Sequence, residues 1–112
     1  MRRVVLRTLE IQEGAGRPVE LDYAGWCRQV LVQSNGRGFS FEEMVARLPV
    51  VNAIDAAIAA SAGEVLLEEA EHKMLVQAFK AHRFPGVSPA LVEMVREIEA
   101  APKTEREQAA AL

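Results

Sequence analysis

The side chains that could bind a metal are few. Glu69 and His72 have the Glu-x-x-His spacing found in di-iron helical bundles. Such a site also needs a second pair of this kind and two carboxylates from other helices, and His82 has no glutamate three residues before it. We therefore interpret Glu69 and His72 as part of a solvated helix N-terminus with capping acids, and we expect no metal ion or other cofactor.

Nucleophilic catalysis has little support either. Cys27 could in principle act with a histidine, but it falls on an apolar helical stripe beside Trp26, which is typical of a small core residue. The stretch NGRG at 35–38 lacks the pattern of a phosphate-binding loop. The sequence therefore predicts a protein that is not an enzyme.

The composition is that of an ordinary globular domain. The chain has 112 residues, of which 50% are hydrophobic and 26% are charged, so one domain with a modest core is expected. No apolar run reaches the roughly 18 residues needed to span a membrane. The start of the chain has no secretory h-region and Cys27 has no partner, so we expect a cytoplasmic or virion-associated location.

Positive charge is concentrated in the first third of the chain. Residues 1–38 contain six arginines against four acids, for a charge of +2, whereas residues 39–112 contain seven basic and twelve acidic residues, for a charge of −5. Nucleic-acid binding would need those arginines to converge on one surface. The candidate contacts of this alternative function are Arg2, Arg3, Arg7, Arg17, Arg28 and Arg37.

The N-terminal segment has the pattern of a β-hairpin followed by a helix. Residues 3–11 are rich in β-branched and aliphatic side chains, and residues 18–21 could form the returning strand after a glycine-containing turn. Asp22 is a candidate N-cap for a helix over 23–33, whose apolar residues have helical spacing.

The next segment contains Pro49 and can be interpreted in two ways. Ser40 and Glu43 form a capping-box pattern, and Phe39 and Met44 occupy hydrophobic-staple positions. The apolar stripe Met44, Leu48, Val51, Ile54 and Ile58 passes Pro49 without a change of phase. We therefore favour one kinked helix over 41–61. In the alternative, a helix-turn-helix, the recognition helix at 52–61 would contain no arginine or lysine.

The rest of the chain predicts two further helices. Residues 64–67 form either a third short strand or the approach to a helix over 68–83, whose expected stripe includes Glu71, Leu75 and Phe79. Ser88 and Pro89 begin a helix over 89–100. The predicted fold is mainly α within the α+β class, with four helices and an N-terminal hairpin. It forms one domain over 1–101, followed by a flexible tail over 102–112.

Without a chemical site, the remaining function class is interaction with another protein. Trp26, Phe39 and Phe41 are the candidate contacts, because aromatic side chains are enriched at interfaces, although we favour the simpler interpretation that all three fill the core. A chain of this size buries limited area, so we also expect that a homo-oligomer is possible.

Three stretches of the sequence resemble small phage- and prophage-encoded proteins of bacterial genomes. They are VELDYAGWCRQVL, GFSFEEMVARLPVVNAIDAA and VLLEEAEHKMLVQAFKAHRFPGVSPALVEMV, which together span most of residues 18–98. The resemblance rests on structural positions rather than catalytic ones. It implies a phage accessory protein that acts in virion assembly or controls another protein.

Overall fold

The computed structural model describes residues 1–12, 16, 18–33 and 36–104. The described residues form four helices and four short strands, which confirms the predicted α+β class. In chain order the elements are β1 (Arg2–Val5), β2 (Thr8–Ile11), β3 (Val19–Asp22), α1 (Tyr23–Val32), α2 (Phe41–Ala59), β4 (Glu64–Leu67), α3 (Glu69–Ala81) and α4 (Pro89–Glu99).

The N-terminal strand is divided in two, and its halves pair with different partners. β2 pairs with β3 in the predicted antiparallel hairpin, whereas β1 pairs antiparallel with β4. The single strand predicted over 3–11 was therefore wrong. The chain turns at Leu6 and Arg7, where the Leu6 amide donates to the Gly63 carbonyl and the Arg7 carbonyl accepts from the Tyr23 amide. The Leu6 side chain is buried in the core.

β4 confirms the third short strand at 64–67, and β1 gains a second neighbour on its other edge. The Arg3 amide donates to the Pro102 carbonyl at 3.0 Å, and the Thr104 amide donates to the Met1 carbonyl at 2.7 Å. The first three residues of the expected tail, 102–104, thus lie along β1. Residues 105–112 lie outside the described part of the chain.

α2 is one helix that continues through Pro49, as we favoured. The capping box is formed, because Ser40 Oγ accepts from the Glu43 amide at 3.1 Å and Glu43 accepts from the Ser40 amide at 3.2 Å. The segment that would form a helix-turn-helix therefore has no turn between two helices.

The core lies between α1, the second half of α2, α3, α4 and the β1–β4 pair. Its largest fully buried side chains include Phe79, Leu31, Ile54, Leu67, Leu75 and Met94. α4 begins at the predicted N-cap, where Ser88 Oγ accepts from the Leu91 amide at 3.2 Å.

Leu75 and Phe79 of the predicted stripe of α3 are buried, but Glu71 is not. His72 and Val76 are buried with Leu75 and Phe79, whereas Glu71 is only partly buried and accepts from the Glu68 amide at the start of the helix. We had expected His72 to be solvated, and this prediction was wrong, because its side chain is buried. Its Nε2 donates to the Ile98 carbonyl at 2.8 Å, which satisfies the polar atom and connects α3 to the end of α4.

Candidate protein-interaction surface

The first half of α2 has an apolar face that no other described element covers. Phe41, Met44, Val45 and Leu48 are each more than half exposed, and Phe41 is 74% exposed. Their spacing of i, i+3, i+4 and i+7 places them on one face of the helix, within an arc of about 100°. We call these four residues the apolar face of α2.

This face is exposed because α2 packs into the core only along its second half. Among residues 41–49 only Arg47 is partly buried, whereas Val50, Val51, Ile54 and Ala57 are buried. The predicted stripe was therefore wrong at Met44, Leu48 and Ile58, all of which are exposed. The helix carries apolar residues on more than one side, so helical spacing alone could not identify the side that packs.

Of the three predicted aromatic contacts, only Phe41 belongs to this surface. Trp26 packs in a ring cluster, with centroids 6.0 Å from His82 and 5.3 Å from Phe84. Phe39 is partly buried, and the Arg47 guanidinium carbon lies 4.6 Å from its ring centroid. Trp26 and Phe39 are thus held within the domain.

Four of the six candidate nucleic-acid contacts form ion pairs with carboxylates on four different elements. The pairs are Arg2 with Glu69 on α3, Arg3 with Glu64 on β4, Arg7 with Glu97 on α4, and Arg28 with Asp55 on α2. Arg2 and Arg3 are adjacent on β1 and so point to opposite faces of the strand pair. Arg37 is exposed beside the start of α2, and Arg17 lies outside the described residues.

A polar cavity borders the same end of α2, with a volume of about 620 Å³. Its charged lining residues are Arg37, Glu43 and Arg47. Arg47 donates to the carbonyls of Val30 and Leu31, both at 3.2 Å, at the C-terminal end of α1. The hydrogen bond from the Ser40 amide is the main cause of a lowered pKa at Glu43. Arg47 and Glu43 therefore serve helix ends.

Cys27 and Glu69 are also committed to the fold. Cys27 is completely buried, and burial raises the pKa of its thiol to about 12, so the thiolate that a nucleophile needs is strongly disfavoured. Within the described ranges, no three or more His, Cys, Asp or Glu side chains are grouped so that they could hold a metal ion. The Glu69 carboxylate accepts a hydrogen bond from Arg2 Nε at 2.9 Å, and this bond lowers the pKa of the Glu69 carboxyl.

One polar cluster was not identified from the sequence. Tyr23 donates from its hydroxyl to Glu97 at 2.8 Å, and Arg7 pairs with the same carboxylate while its guanidinium lies 5.3 Å from the Tyr23 ring centroid. Burial is the main cause of a raised pKa at Tyr23. The three residues are 16 and 74 positions apart, so no local motif could have indicated that they meet. They connect the N-terminal segment to α1 and α4.

Comparison with known proteins adds no functional assignment. No family model matches the chain, and searches of curated proteins and of solved structures found no match. Among the described helices, none is both long enough and apolar enough to cross a membrane.

Proposed function

We propose that this protein acts by binding another protein and not by catalysis, and that the apolar face of α2 is its contact surface. The observation that carries the proposal is the exposure of four large apolar side chains at i, i+3, i+4 and i+7 on a capped helix. This is the spacing by which an amphipathic helix binds a partner's hydrophobic groove. Contiguous exposed apolar patches of this kind are characteristic of interaction sites.

The helix is well suited to present this face. Its capping box fixes the first turn, and its second half is anchored in the core through Val50 and Ile54. Such a helix is ordered before it meets a partner, so binding does not have to include the entropic cost of folding it. The resemblance to phage proteins suggests the setting, which is virion assembly or control of another protein.

The alternative, nucleic-acid binding through the N-terminal arginines, has weaker physical support. An arginine that already pairs with a carboxylate offers less positive charge to the phosphate groups of a nucleic acid. Retention on mixed-sequence DNA at low salt, lost at high salt, would favour this alternative over our proposal.

Site-specific photo-cross-linking tests the proposal directly. A photoreactive phenylalanine analogue replaces Phe41 in one variant and Val19 in a matched control, because Val19 is also an exposed apolar residue, at 57%, but lies on β3. In the native host, we expect position 41 to give a discrete protein adduct that position 19 does not give. Adducts that are the same from both positions, or no adduct from position 41, would contradict the proposal.

A further inference from the structure

The first half of α2, residues 41–48, has far less packing support than the second half. Among residues 41–49 only Arg47 is partly buried, and the other eight residues are exposed. The buried residues of the second half are Val50, Val51, Ile54 and Ala57. A helical segment as short as the first half is marginal in water unless tertiary contacts support it. The contacts that fix its position are therefore few and can be named.

The space beside the start of α2 is a polar cavity and not an extension of the core. The cavity is lined by Ser40 and Glu43 at the start of α2 and by His82 at the end of α3. The four side chains of the apolar face of α2 are each more than half exposed. Burial of apolar side chains is therefore not what holds the first half in place.

Arg47 makes the polar contacts that join the first half of α2 to α1. Its Nη1 atom donates to the carbonyls of Val30 and Leu31, both at 3.2 Å, and its guanidinium carbon lies 4.6 Å from the Phe39 ring centroid. Within the described part of the chain, no other residue of 41–49 forms a hydrogen bond with another helix or strand. Hydrogen bonds from a charged donor are among the stronger ones in proteins, and the carbonyls at a helix C-terminus favour a nearby cation.

Pro49 marks the boundary at which the two halves of α2 can separate. Because proline has no N–H, the Val45 carbonyl lacks its intrahelical donor, and one fewer hydrogen bond crosses this boundary than in an uninterrupted helix. Proteins open locally in units that have few buried apolar contacts. The first half of α2 has this character, whereas the second half is part of the core.

We propose that Arg47 is the positioning residue for the apolar face of α2. Its contacts hold the first half of the helix against α1, and without them this half opens at Pro49 while the second half stays packed. The proposal rests on the proposed function, because it concerns the same face. It extends that function to a residue outside the face, since Arg47 is turned about 100° around the helix axis from its neighbour Leu48.

A second arginine provides a matched control for Arg47. Arg28, on α1, pairs through its Nε atom with Asp55 in the second half of α2, at 2.8 Å. Arg28→Ala and Arg47→Ala therefore each remove an arginine that joins α1 to α2. Only Arg47→Ala removes a contact of the first half.

Native-state hydrogen exchange, resolved at single amides by NMR, tests the proposal. In the unmodified chain, the amides of residues 44–48 should have protection factors about 100-fold lower than those of residues 54–58, or lower still. Arg47→Ala should reduce protection at 44–48 by about a further 10-fold or more relative to 54–58. Arg28→Ala should leave protection at 44–48 unchanged. Continued protection of residues 54–58 shows that each variant is folded.

Three results would overturn the proposal. They are equal protection of the two halves in the unmodified chain, an equal loss from both halves in Arg47→Ala, and an Arg28→Ala variant that opens the first half as Arg47→Ala does. An equal loss from both halves is what general destabilisation would produce. The measurement needs no partner protein, so its outcome is separate from that of the cross-linking at position 41. Absence of an adduct there would contradict the proposed function and leave the exchange rates as they are.

Discussion

At the scale of single residues, three side chains that could take part in chemistry serve the structure instead. Arg47 satisfies two carbonyls of α1 and stacks on Phe39, His72 satisfies the Ile98 carbonyl, and Glu43 completes a capping box. Buried or half-buried polar groups are costly unless they are paired. In these residues the hydrogen-bonding capacity that catalysis would need is already used.

Replacing Arg47 should destabilise the fold. Arg47→Ala leaves the carbonyls of Val30 and Leu31 without their charged donor, so the free energy of unfolding should fall by about 1–3 kcal/mol. Arg47→Lys should recover only part of the loss, because an ammonium group lacks the planar fork and stacks less well on Phe39. Urea denaturation measures both changes. An Arg47→Ala variant as stable as the unmodified chain would show that these bonds contribute little.

The lowered pKa values of Glu43 and Glu69 make the free energy of unfolding depend on pH in the acidic range. Each carboxyl has a pKa below its ordinary value of 4.5 in the folded chain, through the Ser40 amide and through Arg2 respectively. The folded state therefore binds fewer protons than the unfolded state as the pH falls through this region. The stabilisation from both groups is fully present above pH 4.5 and is lost as the pH falls through the folded pKa values.

The variant Glu43→Gln isolates one of these contributions. Glutamine can occupy the same position in a capping box but does not titrate, so the loss of stability below pH 4.5 should be shallower than in the unmodified chain. Denaturation midpoints at a series of pH values measure it. Identical slopes in the two proteins would contradict the assignment.

At the scale of elements, local signals were sufficient to locate the helices but not the packed face of α2. The capping box at Ser40 and the Ser88–Pro89 start gave the helix starts to within a residue, because these signals act between neighbours in the chain. The buried side of α2 depends on where α1 and β4 lie, so the exposure of Met44 and Leu48 could not be predicted. The pairing of β1 could not be predicted either, because its partner β4 lies about sixty residues away in the sequence.

Pro49 is the residue at which the exposed and packed halves of α2 meet. Because proline has no N–H, the carbonyl of Val45 lacks its intrahelical donor. Pro49→Ala restores that donor on an exposed part of the helix, so the free energy of unfolding should rise by about 1–3 kcal/mol. Thermal denaturation measures the change, with Ala46→Gly, also exposed in the same half of α2, as a control expected to lower stability by about 1 kcal/mol. A destabilised Pro49→Ala variant would contradict this prediction.

At the scale of the whole molecule, most elements enclose the core, whereas the first half of α2 presents apolar side chains at the surface. Long-range pairs such as Tyr23 with Glu97 and Arg2 with Glu69 join elements that are distant in the sequence. The apolar face of α2 lies outside that core, and its four side chains are each more than half exposed. The sequence indicated an interaction protein through the absence of a catalytic set, but the surface itself emerged only from the packing of α2.

The most direct test of the central claim is the affinity for the protein that cross-links to position 41, measured by calorimetry. If the apolar face of α2 is the contact, Leu48→Glu should weaken binding by about 30-fold or more, since burying an unpaired charge at a contact centre costs about 2 kcal/mol or more. Val19→Glu should bind as the unmodified chain does. Equal affinities for the Leu48→Glu variant and the unmodified chain would contradict the claim that α2 forms the contact.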